Sequence, residues 1–334
     1  MTVRWALPAA MIAVGWSVAV AAGEGPVWPP AGVRSPAEVV WQGAVGDLRP
    51  GGLGRLLRAI AGAERRQQAW QLPRPVSVAV AGDRFFVVDT ARGEVLGAGS
   101  DGGSAVRLRL PEGTEPVAVA VAAHGERVLV ADRAGGSVLA FDLDGTARGE
   151  RVPNGVVRRI GGLGTCANGD LLVTDAESGQ VVRFRSDGSV SARTGDVGGG
   201  DGQFNTPTAV VEAPDGSIWV LDTFNFRLQR LDPELRYLSQ FGQHGDGSGH
   251  FALPKGLAVD PDGHLHVTDA RFDVIQVFDE EGRLLLIVGG HGAGPGGLWN
   301  PAGIAIDGEG RVAVADTGNR RVQLLRYRER GGGP

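Results

Sequence analysis

Histidines are the residues of this sequence whose type and position point most directly to chemistry. The chain has 334 residues and six histidines, and His244, His250 and His291 fall in long glycine-rich segments that we interpret as loops. If these loops gather on one face, three imidazoles could hold Zn²⁺ and leave an open position for water. The pattern therefore allows a metal-assisted lyase or hydrolase, with these three histidines as the metal ligands.

Three further residues of reactive type have simpler structural explanations. His264 and His266 lie two residues apart on a predicted strand and share a face, but a metal site there lacks a third ligand that the sequence identifies. Cys166 is the single cysteine, so no disulfide can form within the chain. It lies in an apolar, glycine-rich stretch, and we expect a buried, inert thiol. The sequence thus assigns no catalytic residue.

An aspartate ends six similar strand-like runs along the chain. These residues are Asp89, Asp132, Asp175, Asp222, Asp269 and Asp316. Successive intervals are 43, 43, 47, 47 and 47 residues, a period typical of propeller blades. A carboxylate at the same place in every repeat predicts a structural role, in which it accepts backbone N–H groups of the following turn.

Each repeat has the same internal order of turns and strands. A proline opens five of the six repeats, and a short strand of small and branched residues follows, as at 117–121. Turn pairs such as Asp215-Gly216 come next. Small side chains indicate the innermost strand, where blades converge on the axis. We therefore predict an all-β, six-bladed β-propeller of four-stranded antiparallel blades over residues 72–327, with a tail at 328–334.

The last repeat ends after its third strand, near Tyr327, so the ring needs one more strand. Residues 38–43 are strand-like, and pairing them beside that third strand would close the ring without exposed edges. Between this closing strand and the first blade, apolar residues recur at helical spacing over Leu53 to Gln68, with arginines interleaved. We assign residues 38–71 as the closing strand plus a helix. The helix either lies on the propeller rim or docks to a partner or membrane surface.

Residues 1–22 have the features of an export signal. Arg4 precedes an apolar run that ends in small residues around Ala21. The run is almost long enough to span a bilayer, so an uncleaved membrane anchor is the alternative. Residues 23–37 are rich in proline and glycine and are assigned as a linker. We expect a periplasmic or secreted, monomeric protein, and the net charge of −5 argues against nucleic-acid binding.

A longer motif is clearest at residues 202–231, 249–278 and 296–325. It reads Gly-x-(Phe/Leu)-x-x-Pro-x-Gly-(Leu/Ile)-Ala-(Val/Ile)-Asp, then Asp-Gly, then a strand into Asp-Thr-x-Asn-x-Arg-(Val/Leu)-Gln. This motif resembles the NHL repeat, and the first three repeats are degenerate but in phase. The resemblance implies the propeller fold and leaves the function open, since one fold carries many functions.

The N-terminal part resembles bacterial exported propellers that are often encoded beside multihaem c-type cytochromes. The shared features are Trp28-Pro29-Pro30 after the signal segment, a closing strand and a short arginine-bearing helix. The resemblance implies a c-type cytochrome as partner, in a periplasmic electron-transfer complex. The lipid-attachment cysteine of many such proteins is absent, and so is Cys-x-x-Cys-His, so we expect no cofactor on the chain itself.

Lyases and lactonases of similar architecture are also relevant. His250-Phe251-x-x-Pro254 resembles a histidine-bearing loop of the amidating lyase of peptidylglycine processing, which uses a histidine-bound zinc. However, Thr208, Lys255 and Ala302 follow the prolines of blades four to six, so no histidine there completes the set. Streptogramin-type lyases and gluconolactonase-like propellers are related too, but their catalytic residues find no match in this sequence.

Aromatic and histidine side chains collect in the connections of blades four to six. The candidate binding face consists of Phe204, Phe224, Phe226, His244, His250, Phe251, His291 and Trp299. Aromatic groups in surface loops suit a binding patch; alternatively, the phenylalanines fill gaps between blades. We expect an exported scaffold, without catalytic activity, that binds a protein or peptide partner. The metal-assisted lyase or hydrolase is the alternative.

Overall fold

The computed structural model describes residues 27–28, 37–46, 72–99, 105–122 and 125–329. These residues form 25 β-strands and one 3-10 turn at Thr223–Asn225. In chain order the strands are β1 (Val27–Trp28), β2 (Ala37–Gly46), β3 (Pro75–Ala81), β4 (Arg84–Asp89), β5 (Glu94–Gly99), β6 (Val106–Arg107), β7 (Pro116–Val121), β8 (Arg127–Asp132), β9 (Ser137–Asp142), β10 (Ala147–Val152), β11 (Ile160–Thr165), β12 (Leu171–Asp175), β13 (Gln180–Phe184), β14 (Val190–Thr194), β15 (Pro207–Glu212), β16 (Ile218–Asp222), β17 (Arg227–Leu231), β18 (Tyr237–Phe241), β19 (Pro254–Val259), β20 (Leu265–Asp269), β21 (Val274–Phe278), β22 (Leu284–Gly289), β23 (Pro301–Ile306), β24 (Arg311–Asp316) and β25 (Arg321–Glu329).

The strands form six antiparallel sheets that are the blades of a propeller. Blades one to five contain four strands each, in sequence order, from β3–β6 to β19–β22. The first strand of each blade is innermost and packs against the first strand of the next blade, and β23 of blade six packs against β3 of blade one. The predicted six-bladed propeller is therefore confirmed.

Blade six is completed by the N-terminal part of the chain. β2 pairs antiparallel with β25, so the predicted closing strand at residues 38–43 is confirmed and extends over Ala37–Gly46. β1 pairs with β2 as a fifth strand, within the segment 23–37 that was predicted as a linker. Trp28 packs against the hydrophobic core of blades five and six, and this apolar contact explains why a strand forms there.

One buried hydrogen bond ties the closing strand to blade six. Trp41 is 4% exposed, and its indole N–H donates to Gln323 Oε1 at 2.6 Å. In blades four and five the matching Gln229 and Gln276 accept the backbone N–H of a loop glycine with that same oxygen. In blade six the Trp41 indole of the closing strand therefore takes the place of the loop N–H group that donates to the equivalent glutamine in blades four and five.

The innermost strands approach each other too closely for most side chains. A Cβ atom at Gly162 on β11 would lie 2.5 Å from the carbonyl oxygen of Thr208 on β15, and one at Gly164 would lie 2.4 Å from that of Val210. Real Cβ atoms do not come that close to backbone. The small residues of the inner strands are therefore required by the convergence of the blades on the axis.

Each repeated aspartate is buried at the end of the second strand of its blade. Asp89 shows the arrangement: Oδ1 accepts the N–H groups of Ala91 and Arg92 in the following turn, and Oδ2 accepts that of Arg74, just ahead of the inner strand. Burial raises the pKa of Asp316. At Asp175 burial acts in the same direction, but backbone N–H groups outweigh it and lower the pKa. These contacts are the ones expected of a structural carboxylate.

Several sequence predictions fall outside the described residues. They are the signal segment 1–22, most of the linker 23–37, the helix from Leu53 to Gln68 and the end of the tail. Within the described ranges, no helix has both the length and the apolar character needed to cross a membrane.

Removing the Trp41 indole N–H should weaken ring closure. In Trp41→Phe the ring stays buried, but Gln323 Oε1 loses its donor, which should cost about 1–3 kcal/mol. Trp41→Ala also leaves a cavity and should cost about 3–5 kcal/mol. Urea unfolding followed by circular dichroism measures both losses. The control is Trp299→Phe, at an exposed tryptophan, and equal stability of the two Phe variants would contradict this role for the bond.

Candidate functional site

Three glycine-rich loops on one end of the propeller share one backbone arrangement. Each leads into one of blades four to six and is closed by a parallel bridge: Val197 with Phe204, His244 with Phe251, and His291 with Leu298. Because the corresponding residues are 47 apart, His244 and His291 occupy the same position in neighbouring loops. We call this end of the propeller, with the turns after the repeated aspartates, the loop face.

Two of these loops are each held in place by a buried arginine of their own blade. Arg321 donates from Nε to Asp316 Oδ2 at 2.8 Å, and its Nη atoms donate to three carbonyls of the loop before blade six. Arg227 makes the same contacts with Asp222 and the loop before blade four. The motif residues Asp and Arg therefore fix the loop backbone, in addition to joining the strands.

The loop before blade five is held differently, because Val274 stands where the other two blades have arginine. Gln276 donates to the carbonyl of His250 at 2.8 Å and accepts the N–H of Gly249 at 3.0 Å. The His250 ring nitrogen Nε2 lies 2.6 Å from Nε2 of Gln243, within the same loop. His250 therefore takes part in the internal structure of its loop.

Two aromatic residues expected on the loop face are instead buried beneath it. Phe204 and Phe251 are both 0% exposed and belong to the hydrophobic cores under the loops. Phe251 packs edge-on against Phe278, with ring centroids 5.5 Å apart. Phe226 is half-buried and lies under the His244 ring at 4.5 Å. Burial of large apolar rings stabilises the loops from below, so Phe204 and Phe251 offer no surface to a partner.

Other apolar side chains do reach the surface of the loop face. Phe224 is 54% exposed and Trp299 is 46% exposed. Val197, in the loop before blade four, and Leu253, just ahead of β19, are also exposed. Phe224 and Leu253 contribute to the wall of the central channel where it opens at this face. The loop face therefore combines apolar side chains with the channel opening.

Within the described part of the chain, the three loop histidines do not converge on one point. His291 Nδ1 pairs with Asp273 Oδ2 at 2.7 Å, and its ring lies 6.2 Å from that of Trp299. His244 and His250 make the separate contacts given above. One group of three His, Cys, Asp or Glu side chains in the described ranges is close enough to share a metal ion, and it lies at the opposite end of the strands. This group consists of Asp260, Asp262 and His264.

The inner strands of all six blades enclose a central channel of about 790 Å³. Its opening at the loop face carries Arg74, Arg133 and Lys255, from blades one, two and five. We call these three residues the cationic mouth. Among the described lining residues the one carboxylate is Glu212. Since Glu212 ends β15, it lies at the other end of the channel, where it accepts the N–H of Ala167 at 2.6 Å.

Lys255 is the only lysine of the chain and is half-buried in the mouth. Its Nζ donates to Asn300 Oδ1 at 2.7 Å. Burial, and after it the positive charge of Arg74, lower the pKa of Lys255 below its ordinary value. The N–H of Asn300 donates to Asp273 Oδ1 at 2.6 Å, and Asp273 holds His291. Hydrogen bonds therefore connect the mouth to the exposed His291.

Sequence spacing alone does not reveal the cationic mouth, because its residues come from three repeats and occupy a different position in each. A positional signal does exist. Arg74 precedes a repeat proline, Lys255 follows one, and Arg133 follows a repeated aspartate. Closure of the ring turns all three positions toward the axis.

Cys166 has no exposed surface. Burial and the neighbouring Glu212 carboxylate raise the pKa of its thiol to about 12. The thiol is therefore protonated at neutral pH, as expected for an inert cysteine.

Arg321→Met should destabilise the protein because it leaves the Asp316 carboxylate buried without its cation. Breaking a buried pair on one side costs about 3–5 kcal/mol. Arg311→Met is the control, since Arg311 pairs with Asp307 in a more exposed setting and such pairs contribute about 1 kcal/mol or less. Urea unfolding compares the two variants. Equal losses would contradict the anchoring role of Arg321.

Comparisons with known proteins agree with this architecture. The family model of the NHL repeat matches residues 298–323, in blade six. No curated protein matches the chain in sequence.

Three solved structures illustrate the similarity in fold. A gluconolactonase from Xanthomonas campestris is 17% identical, with a TM-score of 0.61 over 92% of this chain and 100% of that one. An auxiliary nutrient binding protein from Bacteroides thetaiotaomicron is 13% identical, with a TM-score of 0.59 over 77% and 70%. A virginiamycin B lyase from Staphylococcus aureus is 15% identical, with a TM-score of 0.57 over 77% and 96%.

At such low identities these similarities establish the fold alone, because proteins of one fold carry binding, lyase and lactonase functions. Together with the six sheets and the closing strand, they fix the architecture. The chain is a six-bladed β-propeller that carries an NHL repeat in its last blade.

Proposed function

We propose that the chain is a binding protein without catalytic activity, which holds an acidic peptide segment of a protein partner on its loop face. The observation that carries this proposal is the cationic mouth, Arg74, Arg133 and Lys255, at the channel opening. Glu212, the one carboxylate among the described residues of the channel wall, lies at the opposite end of the channel. An acidic side chain or a C-terminal carboxylate would be the complementary group.

Apolar side chains around the mouth support a peptide rather than a small anion as the ligand. Phe224 and Leu253 are exposed on the channel wall, and Trp299 and Val197 are exposed on the neighbouring loops. Aromatic and aliphatic side chains beside charged groups are typical of the residues that contribute most to protein–protein binding. The fixed loop backbone further favours binding, because little conformational entropy is lost when the partner docks.

The comparisons are consistent with a binding role, since the similar structures include a nutrient binding protein. This proposal includes export to the periplasm, which residues 1–22 predict, and a c-type cytochrome as the partner, which the N-terminal resemblance implies. An acidic segment of such a partner would meet the cationic mouth.

The second candidate is a lyase or hydrolase, and one observation favours it. Asp273 orients the imidazole of His291, whose ring is largely exposed, and a carboxylate-oriented histidine is a common general base. Enzymes are also among the similar structures. The metal-assisted form has less support, because the described loop histidines do not share a ligand point.

Charge removal at the mouth tests the binding proposal. The partner is first captured by cross-linking the tagged mature chain in its host's extract and is identified by mass spectrometry. Its affinity is then measured for the wild type and for a triple variant, Arg74→Gln, Arg133→Gln and Lys255→Gln. The variant should bind at least about tenfold more weakly, since each hydrogen bond to a charged group contributes about 1.5–3 kcal/mol.

The matched control removes the same charge from the opposite end of the propeller, in Arg148→Gln, Arg236→Gln and Arg283→Gln. These arginines are exposed in hairpins far from the mouth. The control should bind as the wild type does. Equal affinity of the mouth variant and the control would refute the proposal, and turnover of a substrate that is lost in His291→Ala would favour the second candidate.

A further inference from the structure

A cluster of metal-binding side chains lies at the end of the propeller opposite the loop face. Asp260, Asp262 and His264 belong to the turn between β19 and β20 of blade five, and His266 is on β20. Tyr327, on β25 of blade six, contacts the same group. Two of the six histidines of the chain thus meet two carboxylates where blade five meets blade six.

The spacing of the polar atoms suits a single small cation. Asp260 Oδ2 lies 3.1 Å from His264 Nδ1 and 2.9 Å from His266 Nε2. The ligand atoms of Asp260, Asp262 and His264 all lie within 4.8 Å of one another. Ligands at about 2.0–2.1 Å from a tetrahedral Zn²⁺ are roughly 3.3 Å apart, so small side-chain shifts would complete such a site.

The corresponding turn of blade six shows what this cluster replaces. Asp307 there pairs with Arg311, at the position of His264, and Ala313 stands at the position of His266. A guanidinium is always charged and has no lone pair to give to a metal. Where blade six has a structural guanidinium, blade five therefore has an imidazole that can act as a metal ligand. A second imidazole, that of His266, lies beside it.

Burial also fits a metal site. Asp260 is 1% exposed, and its Oδ2 lies within 3.1 Å of a nitrogen of each imidazole. Asp262 is exposed and His264 is partly exposed, so an ion can enter from solvent.

We propose that Asp260, Asp262 and His264 bind one Zn²⁺ ion, with an open position for water. The mixture of imidazole and carboxylate suits Zn²⁺ better than Ca²⁺ or Mg²⁺, which prefer oxygen ligands alone. His266 donates to Asp260 and so orients the ligand carboxylate, as supporting residues commonly do around metals. Because Tyr327 of blade six hydrogen-bonds to Asp262, the ion would reinforce the junction next to the closing strand. The inference is independent of the proposed binding function.

Zinc titration of the metal-stripped protein tests the proposal. Calorimetry and elemental analysis should give one Zn²⁺ per chain, and the thermal unfolding temperature should rise with added Zn²⁺. His264→Arg copies the Asp307–Arg311 pair of blade six and should fold, but it should bind Zn²⁺ at least about a hundredfold more weakly. Asp262→Asn, at an exposed position, is a second variant that should also weaken binding.

A variant of the loop histidines is the control. The combined change His244→Ala, His250→Ala and His291→Ala should leave zinc affinity unchanged. Absence of stoichiometric binding by the wild type would overturn the proposal. So would binding that survives in both His264→Arg and Asp262→Asn, or binding that is lost in the loop variant alone.

Discussion

The buried carboxylate at the end of each second strand is the interaction on which the rest of the structure depends. In every blade it joins three pieces of chain: the strand that carries it, the turn that follows, and the segment entering the inner strand. A buried carboxylate is costly unless donors surround it, and the turn supplies them. In blades four and six the same carboxylate also holds an arginine, and that arginine holds a loop. In these two blades the carboxylate at the strand end therefore also fixes, through the arginine, a loop of the loop face.

The ring adds a second constraint, because its two ends must meet. The sequence supplies one strand too few at the C-terminus, and β2 fills that place. The Trp41–Gln323 hydrogen bond uses a glutamine whose equivalents bind loop backbone in blades four and five. Closure of the propeller and support of the loops thus rely on the same repeated side chains. The two candidate sites lie at opposite ends of this rigid framework.

The fold could be predicted from sequence because its determinants are periodic. Six aspartates at nearly constant intervals reveal the blades, and a strand count reveals the closing strand. β1 could not be predicted, since two residues carry no period and only the packing of Trp28 shows their role.

The candidate site was less predictable, because its geometry depends on the closed ring. Phe204 and Phe251 have the sequence context of surface loops, yet both fill the cores beneath them. The cationic mouth brings together residues from different positions of three repeats, which no local pattern connects. The cluster of Asp260, Asp262 and His264 was missed because we placed His264 on a strand with His266, whereas it lies in the preceding turn with the two aspartates.

Chemical labelling of Lys255 tests most directly the claim that the mouth is the binding site. Because Lys255 is the only lysine, an amine-reactive reagent can modify its Nζ and the N-terminal amine alone. The rate of each modification can be followed by mass spectrometry, with and without synthetic peptides that combine glutamate and aromatic residues. We predict that acidic peptides slow the labelling of Lys255 while leaving the N-terminal amine unaffected, and that lysine-rich peptides of matched length, acetylated on their own amines, have no effect. Equal labelling rates of Lys255 with and without acidic peptides would contradict the account.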